Sequence, residues 1–482
     1  MYIITIFYLL MACVVSVTTD GRGHDEPLWL DPATYSAADI IEKDVVIIGG
    51  GSSGSFTAVR LRDFNKSVVV IEKKDTLGGH AETYTNPFTG YTIDLGVVVF
   101  HNLQVVLDYF AKFDTPLFKI SPFVTNLSYV DFTTGQPVDF EPPTTEAFTE
   151  ALKSYSRHLE RHAGIHLGFN MSYPVDPDLL LSFKDFVEKY GLQDLVAQTF
   201  LSNQGYAPIL DISMLYIFKY LNIYQVRGYL ESSFFTTAHH NIQELYTKIA
   251  HFLGSDALLS TKVLAMERQS PKSHSPVLAE QRPIRVLVQT PTGRKIILAK
   301  ALISAVPPVV DGLTGFDLSD EERKLFGKFY ANGYYTGLLN NTGLNESIWN
   351  TEPGRAYNIP ALPGPYGLRL TEGLTQVYYG SPLVLSDNQV KADIMSRIKT
   401  VQRARGIVTD GIDPSWLAFS SHAPFNLMVS NDDIKEGFYR NLSSLQGRRN
   451  TFYHGAAWET QDSGALWKFT DDYILPRLLS VL

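Results

Sequence analysis

Two short, continuous apolar runs dominate the first part of the chain, Val45–Ile48 and Val68–Ile71. Both are rich in β-branched residues and lack the polar alternation of a half-exposed strand. Such runs predict strands buried on both faces, as in a parallel sheet. Between them, Ser52–Phe64 sets Phe56, Val59 and Leu61 among small and polar positions, which predicts a helix. Later segments continue the mixture. Helices are expected over Thr145–His166, Asp176–Tyr190, Leu192–Thr199, Ile212–Tyr220, Ile242–Leu253 and Ala465–Leu479. Strands are expected over Arg285–Thr290, Lys295–Val306, Gly333–Leu339 and Gln376–Gly380. The pattern is that of an α/β protein.

The first strand and helix are joined by Gly49-Gly50-Gly51-Ser52-Ser53-Gly54, a G-x-G-x-x-G turn. Each glycine has a mechanical reason. Gly49 lets the chain turn tightly, Gly51 removes a side chain where a pyrophosphate approaches, and Gly54 lets helix and strand pack closely. Ser52 and Ser53 open the helix, whose N-terminus offers unpaired N–H groups and partial positive charge to phosphates. Glu72 closes the second strand, where a carboxylate can accept hydrogen bonds from an adenosine ribose. The strand, the helix and the acid together imply dinucleotide binding.

The 482 residues exceed what one core accommodates, so two or three substructures are expected. Hydrophobic residues at 45% and charged residues at 19% exclude a disordered chain. A net charge of −9 without a basic patch argues against a nucleic-acid partner. The single cysteine, Cys13, excludes a disulfide scaffold, a cysteine-rich zinc site and an iron–sulfur cluster. Met1–Thr19 carries no charged side chain, and residues 1–19 read as a signal peptide, with a signal anchor or a buried segment as alternatives. Sequons at Asn65, Asn126, Asn170, Asn340, Asn345 and Asn441 agree with the secretory pathway, a secreted or lumenal location and no stable membrane span after cleavage. His158, His162 and His166 share a face of the expected helix, but no carboxylate pattern completes a metal site, and none is expected.

After Glu72 the chain runs Lys73-Lys74-Asp75-Thr76-Leu77-Gly78-Gly79-His80. An acid followed by a Gly-Gly doublet resembles the FAD-binding start of the flavin-containing amine oxidase superfamily. Thr92–Val97, Ala257–Val263, Ala305-Val306-Pro307-Pro308 and the block from Thr451 through Gly455, Ala456, Asp462 and Ser463 to Gly464 resemble later stretches of that family. Within it, His80, Leu95-Gly96-Val97 and Asp462-Ser463 look most like β-cyclopiazonate dehydrogenase and related fungal oxidoreductases of secondary metabolism. The resemblance implies a discontinuous, Rossmann-like FAD-binding domain (44–110, 236–311 and 441–482) and an inserted α+β substrate domain (111–235 and 312–440), after the signal and a lead-in at 20–43. It also implies that Gly78, Gly79 and His80 run beside the cofactor, that the Val263 backbone holds adenine, and that Gly455, Ala456, Asp462 and Ser463 close the site around the flavin pyrimidine edge.

The chain also departs from amine oxidases. No cysteine beyond Cys13 can link a flavin, so noncovalent FAD is expected. The lysine many members hold near the flavin has no counterpart in Gly333–Gly337, where Lys328 is the nearest upstream, and the paired aromatic cage lacks one near Ser463–Ala465. His101 can approach the flavin or serve structure alone, and His239-His240 can start a helix or neighbour the pocket. The expected reaction is hydride transfer from an apolar small molecule to flavin N5, with oxygen or another electron acceptor taking the electrons. Rival readings are an amine, polyamine or amino-acid oxidase releasing hydrogen peroxide, a lipid or terpenoid desaturase or isomerase, and a flavin-binding protein without turnover. No catalytic base stands out.

Overall fold

The computed structural model describes residues 30–482, apart from 122, 124–126, 207, 269–281, 408–410 and 412. The expected signal at 1–19 and the sequon at Asn126 therefore lie outside the described residues.

A seven-stranded sheet carries the nucleotide-binding elements. In chain order these are β1 (Ile40–Ile48), α1 (Ser52–Asp63), β2 (Val68–Ile71), α2 (Ile242–Leu253), β3 (Ala257–Leu258), β4 (Lys262–Arg268), β5 (Ile284–Thr290), β6 (Gly293–Ser304), β7 (Thr451–Tyr453) and α3 (Ser463–Phe469). The order across the sheet is β4-β5-β6-β1-β2-β3, with β7 also pairing β6. Strands β7, β6, β1, β2 and β3 run parallel, whereas β4, β5 and β6 form an antiparallel meander. The continuous apolar runs have a plain cause. Val45, Ile47, Val68 and Val70 enter the core under α1, α2 and α3, while Val46, Ile48, Val69 and Ile71 enter a second core with Met266, Val286 and Val288. Both faces are covered, so neither can be polar.

Strand β1 begins at Ile40 rather than Asp44, because Ile40–Lys43 already pair with Ile296–Ala299 of β6. The lead-in expected at 20–43 thus contributes its last residues to the sheet.

The rest of the chain builds a six-stranded sheet with strands Ser415–Ser421, Gly333–Asn340, Leu374–Ser381, Gly364–Thr371, Ile348–Asn350 and Ser128–Val130 in that order. Helix Asp387–Ala404 covers it through Val390, Ile394, Ile398 and Val401. A helical layer from Thr145–Glu160 to Ile223–Glu231 forms the largest core. Several helices are shorter than expected. Thr145–Glu160 stops before Ala163–His166, a 3-10 turn, so His158, His162 and His166 do not share one helical face. Gly164 packs so tightly there that an added Cβ would lie 2.3 Å from the Asn170 carbonyl oxygen. The C-terminal run is α3, a π-helical turn over Thr470–Ile474 and a last helix, Leu475–Leu479. Among the described residues, no helix is long and apolar enough to cross a membrane.

Candidate active site

The glycine turn lies at the C-terminal end of β1. Gly49 has φ +103° and donates its N–H to the Ile71 carbonyl at 2.9 Å. A Cβ at Gly49 would lie 2.9 Å from the Ala305 oxygen, and one at Gly54 only 1.9 Å from the Gly49 oxygen. Those two glycines are required by the protein's own packing. Gly51 differs, because its φ is an ordinary −70° and a Cβ there would meet nothing nearer than the Gly79 Cα at 3.7 Å. Gly51 keeps clear a surface the fold itself does not fill.

Glu72 is buried and ties the turn to β2. One carboxylate oxygen accepts the Gly50 N–H at 2.7 Å and the other the Lys74 N–H at 2.8 Å. Each oxygen keeps a further lone pair for a sugar hydroxyl. Gly78 (φ +119°) and Gly79 (φ +62°) bring the next segment back beside the bend, with Gly78 N–H donating to the Gly50 oxygen at 2.9 Å and Gly78 bridging Gly51. The carbonyl of Glu72 accepts the Thr261 N–H at 2.9 Å, which places Val263, in β4, just beyond the same strand end.

The C-terminal segment completes the arrangement. After β7, Gly455 (φ +110°) and Ala456 turn the chain toward Asp462. Asp462 caps α3 by accepting the Ala465 N–H at 3.0 Å, and its other carboxylate oxygen is paired with His101 Nε2. Burial alone would raise the Asp462 carboxyl, but His101 and the Ala465 N–H hold it below the usual carboxylate range. Ser463 Oγ accepts a hydrogen bond from Ser52 Oγ at 3.0 Å, and Trp467 Nε1 donates to the same Ser52 hydroxyl at 3.0 Å. The first turns of α1 and α3 therefore meet, and the positive ends of two helices converge on one region. Ser53 lies buried in that first turn of α1.

Between the Gly78–Gly79 turn and the α3 cap stands a wall of aromatic rings. His80 stacks on His422 with centroids 4.5 Å apart, and Tyr334 lies 5.5 Å from His422 and 5.1 Å from Phe425. Burial pushes the His80 imidazole down to about 4, with Lys74 acting in the same direction, and pushes His422 well below its ordinary value. Gln461, beside Asp462, donates to the Phe425 carbonyl. The backbone carbonyls of Asp94 and Leu95 are held by Gln376 and Thr336 from the second sheet. A groove of about 400 Å³ lined by Asn86, Tyr91, Ile93, Glu372 and Leu374 opens elsewhere on the surface.

The structure thus gathers Gly49, Gly51, Ser52, Ser53, Gly54, Glu72, Gly78, Gly79 and His80 at one bend, with Val263 at its strand end and Asp462 and Ser463 at the facing helix. Gly455 and Ala456 form the turn before that helix. His422 and Phe425 were not read from the sequence. They belong to a connecting segment with no motif spacing, and only the fold brings them to His80. Tyr334 stands in the stretch where family resemblance placed a lysine.

The profile of the flavin containing amine oxidoreductase family matches residues 53–335. The FAD-dependent oxidoreductase oblC of Cochliobolus heterostrophus is 38% identical over 98% of both chains. Beta-cyclopiazonate dehydrogenase of Aspergillus oryzae is 32% identical over 91% of this chain and 93% of its own. A fatty acid isomerase from P. acnes that produces CLA shares the fold at TM-score 0.70 and 16% identity, over 90% of this chain and 98% of that one. The chain belongs to the flavin containing amine oxidoreductase family. It is an FAD-dependent oxidoreductase.

The residues present fit that cofactor. The clear surface at Gly51, which the fold does not need for itself, suits a diphosphate between two helix N-termini. Gly49–Gly54 and α1 would hold the diphosphate, Glu72 the ribose and Val263 the adenine, and the α3 N-terminus with Asp462 and Ser463 would face the flavin pyrimidine edge.

Proposed function

We propose that the enzyme dehydrogenates or oxidises an uncharged, largely apolar small molecule, removing two electrons from a C–H/X–H or C–H/C–H unit during the making of a secondary metabolite. The observation that carries this reading is the wall of His80, His422, Phe425 and Tyr334, whose imidazoles are held neutral by burial. Flat, uncharged rings suit a flat, uncharged substrate, and the wall itself offers no carboxylate to pair with an ammonium group. The dehydrogenase among the relatives supports the same class. When bound, FAD supplies a two-electron acceptor for a substrate hydride. The chain's residues bind and orient: the stacked rings position the substrate, and the proton that accompanies the hydride is released to solvent. Electrons leave to oxygen or to another acceptor.

Anaerobic mixing of the yellow holoenzyme with candidate metabolites tests this. Bleaching of the visible flavin band by a neutral aromatic or terpenoid compound is the expected result. Bleaching by spermine or an L-amino acid, with hydrogen peroxide formed on admitting air, would replace it with an amine or amino-acid oxidase.

We further propose passage through the secretory pathway. Asn65, Asn170, Asn345 and Asn441 are exposed, which supports glycan attachment. A mass shift on glycosidase treatment of the protein from a eukaryotic host is expected; an unshifted chain that retains Met1 would refute it.

A further inference from the structure

We infer that His422 is a specificity-determining residue, its Nε2 forming a hydrogen bond to an uncharged oxygen of the substrate: a hydroxyl, an enol or a carbonyl. The inference rests on the reading above of an uncharged, apolar substrate and adds to it one polar anchor at a fixed place.

The side chain is 2% exposed, and its Nε2 has no hydrogen-bond partner among the described residues. A buried polar atom in that state is costly unless something satisfies it. Its place in the fold says what could. The backbone N–H of His422 donates to the Tyr334 carbonyl at 2.9 Å, and Ser420, two residues earlier, is bonded to Glu82. One ring face is covered by His80 at 4.5 Å, so polar contact is confined to the ring edge. His80 follows the Gly78–Gly79 turn that lies against the dinucleotide bend, and Phe425, in the same segment as His422, is held by Gln461 beside the α3 cap. The imidazole therefore stands along the path from the diphosphate bend to the α3 cap, on the side where the flavin would lie.

The chemistry of the pair narrows the partner. Two imidazoles 4.5 Å apart do not both become imidazolium, burial disfavours the charge, and Lys74 opposes it on either ring. The carboxylate of Glu82 is already engaged by Lys74 and Ser420. The Tyr334 hydroxyl already donates to Gln204 Oε1 at 2.8 Å, so the open edge of the neutral His422 ring, which donates or accepts one hydrogen bond, discriminates a molecule with an oxygen from one without it.

The test uses two probes of matched shape, 4-methylphenol and 1,4-dimethylbenzene, titrated into FAD-loaded enzyme and followed by the flavin difference spectrum. Wild type is expected to bind the phenol about tenfold more tightly. His422→Phe keeps a stacking ring and should erase that ratio while leaving the hydrocarbon's affinity unchanged. His422→Leu, read by the same ratio, serves if the Phe variant does not fold. A variant that keeps its FAD content, its melting temperature and its preference for the phenol overturns this inference alone. If neither probe perturbs the wild-type flavin spectrum, the apolar-substrate reading falls, and this inference with it.

Discussion

At the scale of single residues, the turn separates glycines the fold needs from a glycine the cofactor needs. Gly54→Ala forces a Cβ to 1.9 Å from the Gly49 oxygen, so it should cost about 3 kcal/mol or more and reduce soluble yield. Gly51→Ala meets no protein atom within 3.7 Å, so the cofactor-free protein should melt within about 2 °C of wild type, a shift of under about 1 kcal/mol. FAD binding to that variant should weaken at least about tenfold, as read by flavin fluorescence quenching. An unchanged FAD affinity would remove the diphosphate from Gly51. The turn was legible in the sequence because its chemistry is local: glycines, a helix start and an acid fall at fixed spacings. His422 and Phe425 were not, because nothing near them in the chain announces His80. The same holds for the buried pair Lys219 and Glu459, joined at 2.8 Å from distant segments.

At the scale of elements, strands were read more faithfully than helices. Continuous β-branched runs mark strands sealed on both faces, and the β5 and β6 limits fall within two residues of those expected from the apolar pattern. Helix ends depend on tertiary packing; Gly164 against Asn170 ends one helical run that periodicity alone would have carried on. The contact between the end of β7 and the π-helical turn after α3 predicts a pH dependence with a definite sign. His454, buried at the end of β7, accepts the Gly455 N–H at Nδ1 (2.7 Å) and donates through Nε2 to Thr470 Oγ1. Only the neutral ring satisfies both bonds, and burial pushes it down to about 3. The unfolded chain takes up a proton near pH 6.5 that the folded chain refuses. This contribution is therefore complete above pH 6.5 and is lost as pH falls toward 3, by up to about 1.4 kcal/mol per pH unit. Urea unfolding of wild type and His454→Gln at pH 4, 5, 6 and 7 should show a shallower acid limb in the variant. Parallel limbs would assign the acid sensitivity to other groups.

At the scale of the molecule, a buried ionic junction ties the nucleotide sheet to Asp317 and Glu322, in the 312–440 stretch of the expected substrate domain. Arg268, at the end of β4 and 1% exposed in its side chain, grips the Glu322 carboxylate with both terminal nitrogens at 2.9 and 3.0 Å. It also reaches Asp317 through Nε at 2.6 Å and Tyr453 of β7 at 3.0 Å. Arg268→Met strips Glu322 of its bidentate partner, leaving Arg449 at 3.7 Å as its remaining cation, and should cost about 3 kcal/mol by denaturant unfolding. Adding Glu322→Met should recover part of that loss; a double variant no better than the single one would show that the junction is not a coupled pair. The division into a nucleotide sheet and a second sheet was foreseeable from family resemblance, but this junction was not, because its partners are dispersed through the chain. The meeting of Ser52 with Ser463 carries a consequence for biosynthesis. Synthesis runs from the amino end, so the glycine bend leaves the ribosome hundreds of residues before the helix that faces it. Secure capture of the coenzyme has to wait for that later helix, which makes loading a check on whether these two distant stretches have been brought together correctly.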